Sequence, residues 1–276
     1  MLDARNRPAP HAAPAPPTGW RLTLFRVCCG LCLVFAAFYS ALDWVVATTR
    51  DTRPEIALQA LSFDAGANAM LASRMQLAPE TADDARLAPI HAAAALARAP
   101  AQPLALRAIG FLRLKNEDVS GANRILNYTH LLSRRDLAAE LWLGEYAVEQ
   151  GNTREVLSHF DHALSTSNEI QATLFPVMSS AIVDPRIIDP MADMLARQPW
   201  WLHYFLLNAS QGKLGPQGAI DRSRAGYMQA LGALALFEAL TKRGVGVQQQ
   251  AIDTLKLRIP PDDQSLQSRL RGVIVN

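Results

Sequence analysis

Residues 141 to 164 read LWLGEYAVEQGNTREVLSHFDHAL. The Leu-Gly pair at 143–144 precedes a polar break at Gly151-Asn152-Thr153, where a helix stops and the next is capped. Beyond it, Val156, Phe160 and Ala163 fall four and three positions apart, on one face of a second helix. Such a hairpin is either a place where chemistry happens or one unit of a stack. A repeat of the pattern elsewhere in the chain decides between the two.

The pattern recurs at a fixed spacing. Ile109-Gly110 maps onto Leu143-Gly144, Ala122 onto Val156, Leu126 onto Phe160 and Thr129 onto Ala163, and Pro100, Arg134 and Asn168 close successive units. Each unit is predicted to be two helices, each about 14 residues long, around a turn. The turn is Asn116 to Ser120 in one unit and Gly151 to Thr153 in the next. Residues 66 to 99 fit a degenerate copy, with Ala88, Ala92 and Ala95 in the positions of Ala122, Leu126 and Thr129. After Asn168 the copy shortens, with Met194-Leu195 and Pro199 arriving early. In this register Gly110 and Gly144 allow close helix crossings, Leu126 and Phe160 fill the space between units, and Ala163 leaves room for the next. One hairpin cannot bury its own face, so the units must stack.

A helix-turn-helix repeating about every 34 residues, with a Leu-Gly pair, a small residue, a large apolar residue and a second small residue, resembles the tetratricopeptide repeat family. The best-matching unit is 137 to 170, with Leu143-Gly144, Gly151, Phe160 and Ala163. Trp142 and Tyr146 each stand one position off the family's aromatic sites, and Asn168 replaces the closing proline. The unit 103 to 136 keeps Gly110, Ala122 and Leu126 but has neither aromatic. The resemblance covers roughly residues 66 to 212, and helical-repeat families of looser consensus are the alternative. It implies an all-α solenoid with a groove lined by the first helix of each unit. Carried over by position, the groove residues are Arg107, Phe111, Leu114, Leu141, Glu145, Val148, Phe175 and Ser179. Such a groove suits an extended or helical segment of a protein partner. The resemblance also suggests a bacterial envelope setting, including polysaccharide production and export.

Composition agrees with a helical protein: half of the 276 residues are apolar, and alanine and leucine, strong helix formers, dominate the middle of the chain. Net charge is +2. Setting aside Arg5, Arg7, Arg21, Arg26, Asp3 and Asp43 leaves basic and acidic side chains in equal number from Arg50 onward. A body that is neutral overall argues against nucleic acid as a partner, since phosphate binding needs a basic face. All three cysteines, Cys28, Cys29 and Cys32, sit in one apolar run. The body therefore has no disulfide framework, and the CxxC spacing reads as small apolar residues in lipid.

That run, Val27 to Ala47, holds a single charge, Asp43. At 1.5 Å per residue it is long enough to cross about 30 Å of hydrocarbon. Trp20 precedes it, and Tyr39 and Trp44 lie toward its far side, where amphipathic rings favour the interface. A cleaved signal sequence competes with this reading, but the run is long for one and Val45-Val46-Ala47 is a poor cleavage site. A core helix competes less well, because the run is apolar all round. Four arginines before the span against Arg50 and Arg53 after it predict a cytoplasmic N-terminus and a periplasmic body in the inner membrane.

The expected organisation is a disordered Pro- and Ala-rich tail (1–19), a transmembrane anchor (20–47), a linker (48–65), repeats (66–212), capping helices (213–258) and a partly ordered tail (259–276). The stretch AGYMQALGALALFEAL at 225–240 is too short and polar to span a membrane and reads as a capping helix ended by Lys242-Arg243-Gly244.

Candidate chemistry is thin. His159 and His162 lie three apart and could share a metal. Both flank the face marked by Phe160 and Ala163, however, and are expected to see water, with no third ligand at helical spacing. His91, His130 and His203 look isolated. Asp83-Asp84-Ala85-Arg86 and Arg134-Arg135-Asp136 read as solvated helix ends. No nucleophile elbow or phosphate loop occurs. The sequence therefore predicts a non-enzymatic scaffold without catalytic residues, metal or cofactor. The aromatic run PWWLHYFLL at 199–207 reads as core, with a carbohydrate- or lipid-binding envelope protein as the alternative function.

Overall fold

The computed structural model describes residues 19–79, 81, 83–212 and 224–275; the Pro- and Ala-rich segment 1–18, residues 80, 82, 213–223 and Asn276 lie outside them. The expected disordered tail therefore falls outside the described residues but for Gly19. The described chain is all-helical. The helices are α1 (Gly19–Thr49), α2 (Pro54–Ala60), α3 (Ala65–Leu77), α4 (Asp84–Arg98), α5 (Pro103–Lys115), α6 (Val119–Leu132) and α7 (Leu137–Glu149). They continue as α8 (Thr153–Thr166), α9 (Gln171–Ala181), α10 (Pro185–Leu195), α11 (Leu202–Gln211), α12 (Arg224–Lys242), α13 (Gln249–Arg258) and α14 (Gln264–Val275).

α1 is 31 residues long and, by length and composition, able to cross a membrane. Its large apolar side chains, among them Phe25, Leu33, Phe35, Phe38 and Trp44, face outward. Val46, near its end, is the exception and packs against Ala57 of α2 and Ala67 of α3. The expected linker is thus partly helical, with α2 started by Pro54 at its first position, where proline's missing N–H costs nothing.

The sequence period holds at the level of the backbone. Pro103, Leu137 and Gln171, which begin α5, α7 and α9, are evenly spaced, and Val119 of α6 and Thr153 of α8 stand apart by the same step. Three of these starts are set by a side-chain cap. Asp118 accepts from Gly121 N, Asp136 from Ala139 N and Asn152 from Glu155 N, each satisfying a donor that a helix start leaves open. The α5–α6 and α7–α8 turns share one left-handed residue: Glu117 (φ 62°) in the first, Gly151 (φ 68°) in the second. The glycine adopts that conformation freely, whereas the glutamate is strained there.

The glycines of the repeat sit where each hairpin closes. A Cβ on Gly110 would lie 2.7 Å from Leu126 Cδ2, and one on Gly144 would lie 2.8 Å from Phe160 Cε1 and 3.5 Å from His159 Cβ. The glycine and the large apolar residue of one unit are therefore partners within the hairpin. Leu126 also reaches the following unit, where it packs with Ala139 and Leu143. Gly144→Leu is expected to overpack this crossing and cost about 1–3 kcal/mol, read as a lowered melting temperature by circular dichroism. An unchanged melt would mean that α7 and α8 do not cross at Gly144.

The core changes character along the chain. Between α3, α4 and α5 its fully buried members are all alanine, Ala69, Ala72, Ala92, Ala95, Ala105 and Ala108, with Leu96, Leu104 and Ile109 partly buried against them, so the helices close tightly but bury little area per residue. From α8 onward it contains Trp201, Phe205, Phe237 and many leucines and methionines. There the hairpin pattern opens. α9 and α10 diverge from their short connection, and α12 packs on both. α12 is so close that a Cβ on Gly232 would lie 2.4 Å from the Ile182 carbonyl oxygen.

α12 buries ten residues. It stops at Gly244 (φ 75°), and Arg243 pairs with Asp189 and Asp193 of α10. The expected C-terminal tail is instead mostly helix: Leu266, Leu270 and Val273 of α14 are buried, and α14 packs on α12 and α13. Asp263 caps its start by accepting from Leu266 N. Arg258, buried at the end of α13, donates to the carbonyls of Ser210 and Gly226 and joins α11 and α12 through the C-terminal unit.

Candidate functional site

The expected groove residues separate into two groups. Phe111, Leu114 and Leu141 are half-buried, and Glu145 and Val148 are exposed. Leu114 and Leu141 also pack partly against buried neighbours, while Glu145 and Val148 stay open to solvent. The other three are committed elsewhere. Arg107 donates to Asp136 Oδ1 at 2.8 Å and to Ser73 Oγ, and the Arg107 and Asp136 side chains are only 11% and 2% exposed. It is a tie between α3, α5 and the start of α7, and the Arg134-Arg135-Asp136 turn is not wholly solvated. Phe175 packs against Trp201 and Phe205 in the main core. Ser179, also buried, donates to Asn208 Oδ1 at 2.9 Å. Only a regular fourth hairpin would put Phe175 and Ser179 in the groove. α9 is drawn onto α11 and α12 instead, which turns both residues inward.

Val148 opens onto an apolar cleft of about 310 Å³ between α7–α8 and α9–α10. Val156, Phe160, Val177, Ile187 and Met191 form its walls, and Gly151 and Thr153 its rim. Val148 and Val177 are about half exposed, an apolar surface that water contacts at a cost.

The aromatic run at 199–207 divides by helical spacing. Trp201 and Phe205 are fully buried, and Trp201 Nε1 donates to Asp161 Oδ1 at 3.1 Å. Trp200 and Tyr204 face outward with ring centroids 6.4 Å apart at 68°. Rings so inclined share no flat platform for a sugar face.

A second constellation lies where α6, α7 and α8 meet, and it corrects the expectation for the histidines. His159 is buried, and the His162 side chain is only 23% exposed. His130, from the last turn of α6, joins them, and all three converge on Glu140 in the first turn of α7. His130 Nδ1 lies 2.6 Å from Glu140 Oε1, His159 Nδ1 lies 2.8 Å from Oε2, and His162 Nδ1 lies 3.4 Å from Oε2. The Glu140 side chain is wholly sealed from solvent, and its ion-pair partners among the described residues are histidines alone. Burial raises the Glu140 carboxyl, but the hydrogen bonds from His159 and His130 outweigh that rise and hold it below the usual carboxylate range. Burial lowers the His162 imidazole more than the Glu140 carboxylate lifts it.

Sequence reasoning missed this cluster because its members come from three helices. A signal was nevertheless present. Once the register is fixed, Glu140, Leu143, Gly144 and Ala147 form one buried stripe of α7, and a carboxylate on such a stripe needs partners. His91, which also looks isolated in the sequence, bonds Asn68 Oδ1 through Nδ1 at 2.8 Å.

No protein-family profile, curated protein or solved structure matches the chain.

Proposed function

We propose that this chain is a single-pass protein of the bacterial inner membrane whose tetratricopeptide-like array holds an apolar segment of a protein partner in the periplasm. The observation that carries the reading is the apolar cleft beside Val148, between units stacked at a regular spacing. A cleft of this size accepts one or two apolar side chains, the kind of anchor by which helical-repeat proteins hold extended or helical segments. Glu145 lies exposed one turn before Val148 and supplies a charge at the edge, where charge sets register and encounter more than affinity. α1 provides the membrane attachment, and the arginine bias before it supports the orientation. An envelope assembly, including one for polysaccharide production or export, is the setting that the family resemblance suggests. The splayed Trp200–Tyr204 pair gives the carbohydrate-binding alternative little geometric support.

The test is photo-crosslinking from single positions of the full chain in intact cells. Probes at Val148 and Val177 are expected to give a discrete adduct with a protein, and a probe at exposed Leu257 none. Val148→Asp is expected to weaken capture through the Val177 probe roughly tenfold or more, the equivalent of about 1.4 kcal/mol, while circular dichroism stays unchanged. Adducts from Trp200 or Tyr204 but not from the cleft would overturn the reading and transfer binding to the aromatic pair.

A further inference from the structure

We propose that His130, Glu140, His159 and His162 bind one divalent first-row transition ion, best matched by zinc, at the joint of α6, α7 and α8. Three imidazoles and a carboxylate are the donor types that zinc takes in four-coordinate sites. One ligand atom from each residue can be chosen so that all four lie within 4.8 Å of one another. A tetrahedral ion with bonds of about 2.0–2.1 Å holds its donors about 3.3–3.4 Å apart. From Glu140 Oε2, His162 Nδ1 already stands at that spacing, 3.4 Å, while His159 Nδ1 is closer, at 2.8 Å; His130 Nδ1 lies 2.6 Å from the other oxygen, so both would move outward to admit the ion.

Two features favour an ion over a finished hydrogen-bond network. The first is an orphaned nitrogen. His162 Nδ1 is buried and makes no hydrogen bond, although it sits 3.4 Å from Glu140 Oε2. Buried polar atoms in folded proteins are nearly always satisfied, and a metal ion would take this nitrogen's lone pair. The second is charge. The Glu140 carboxylate is sealed in the fold, and its ion-pair partners among the described residues are groups that are neutral unless protonated. Buried charges are ordinarily paired or coordinate metals. A divalent cation supplies the missing charge without requiring the crowded rings, whose centroids are 5.1 and 5.3 Å apart around His130, to become cations together.

With four ligands from the protein the site is closed, which is the form of structural rather than catalytic zinc. Its role is mechanical: it fastens the end of one repeat to both helices of the next. The site is independent of the cleft at Val148, so either can fail without the other.

The experiment uses untagged full-length protein in detergent, stripped with a chelator and then dialysed. Titration with Co2+ is expected to give the intense visible bands of a four-coordinate ion, saturating at one per chain and bleached by Zn2+. One equivalent of Zn2+ is expected to raise the melting temperature, because an ion that binds only the folded state stabilises it. His162→Ala leaves the His130 and His159 bonds to Glu140 in place. It is expected to abolish the bands and weaken Zn2+ binding roughly tenfold or more, the scale on which even outer-shell changes act. Glu140→Gln keeps the shape and is expected to do the same. Wild-type protein with no saturable Co2+ band and no Zn2+-dependent melt would overturn the proposal. So would equal Co2+ binding by wild type and both variants.

Discussion

Arg107→Glu is expected to destabilise the repeat body strongly rather than only to silence a binding surface. Read from sequence alone, Arg107 is one of the groove residues. In the structure its guanidinium is packed between Ser73 and Asp136, with Asp136 almost wholly buried and also capping α7 through Ala139 N. Charge reversal would set two carboxylates against each other in a space that excludes water. It would also leave Ser73 without its partner. Removing one member of a buried pair typically costs about 3–5 kcal/mol, because the other charge remains buried and uncompensated. For a body of this size that is a fall in melting temperature on the order of 10 °C. Circular dichroism melts of the full chain in detergent read the effect, with Glu145→Lys as the exposed comparison, expected to shift stability by about 0–1 kcal/mol at most. Equal melts for the two variants would mean that Arg107 is not tied into the fold.

The second large effect is expected at Gly232, and there the sign of the change carries the information. Glycine to alanine inside an exposed helix stabilises by up to about 1 kcal/mol, because alanine has the better helix propensity. Gly272 of α14 is such a position, exposed and with nothing within 4 Å of an added Cβ, so Gly272→Ala is expected to raise the melting temperature. Gly232→Ala carries the same propensity gain, yet its Cβ would meet the Ile182 carbonyl oxygen at 2.4 Å and the carbonyl carbon at 2.8 Å. Backbone cannot rotate aside as a side-chain tip can, so α12 must retreat from the α9–α10 corner. Overpacking of this kind costs about 1–3 kcal/mol, and Gly232→Val, with two further methyls, more. Two alanine variants shifting the melt in opposite directions would establish the close crossing. A melt raised by Gly232→Ala would show that α12 stands further from Ile182 than the structure has it.

The repeat is legible in the sequence because its determinants are local. The Leu-Gly pairs, the capping residues Asp118 and Asn152, and the turn around Gly151 act within a few residues of themselves, so their spacing fixes helix starts directly. Legibility ends where the chain stops repeating. α9 and α10 keep the sequence signs of a fourth unit, but α12 arrives from far downstream and separates them. Phe175 and Ser179 consequently turn into the core. The same limit hides the histidine cluster, since His130 and His159 stand 10 and 19 residues from Glu140 on neighbouring helices. Arg107 passes for a surface charge for a related reason: its partners, Ser73 and Asp136, lie 34 and 29 residues away. Long-range polar partners leave no periodic trace in a sequence.

Val46 has a consequence for how force and distance pass through the molecule. A loose tether of the length of residues 48 to 65 would let its ends wander about 20–25 Å apart, and the array would float like a kite on a string. Instead the last turns of α1 are clamped by Ala57 and Ala67, Arg74 pairs with Glu55 across α2 and α3, and Arg50 lies against the Gly66 backbone. Were α1 to cross a bilayer, as its length and composition permit, the first repeat would be mounted on it as a shelf is mounted on a bracket. A load taken up at the far repeats would then be felt as torque on the embedded helix, and the cleft at Val148 would stand at a set height above the lipid.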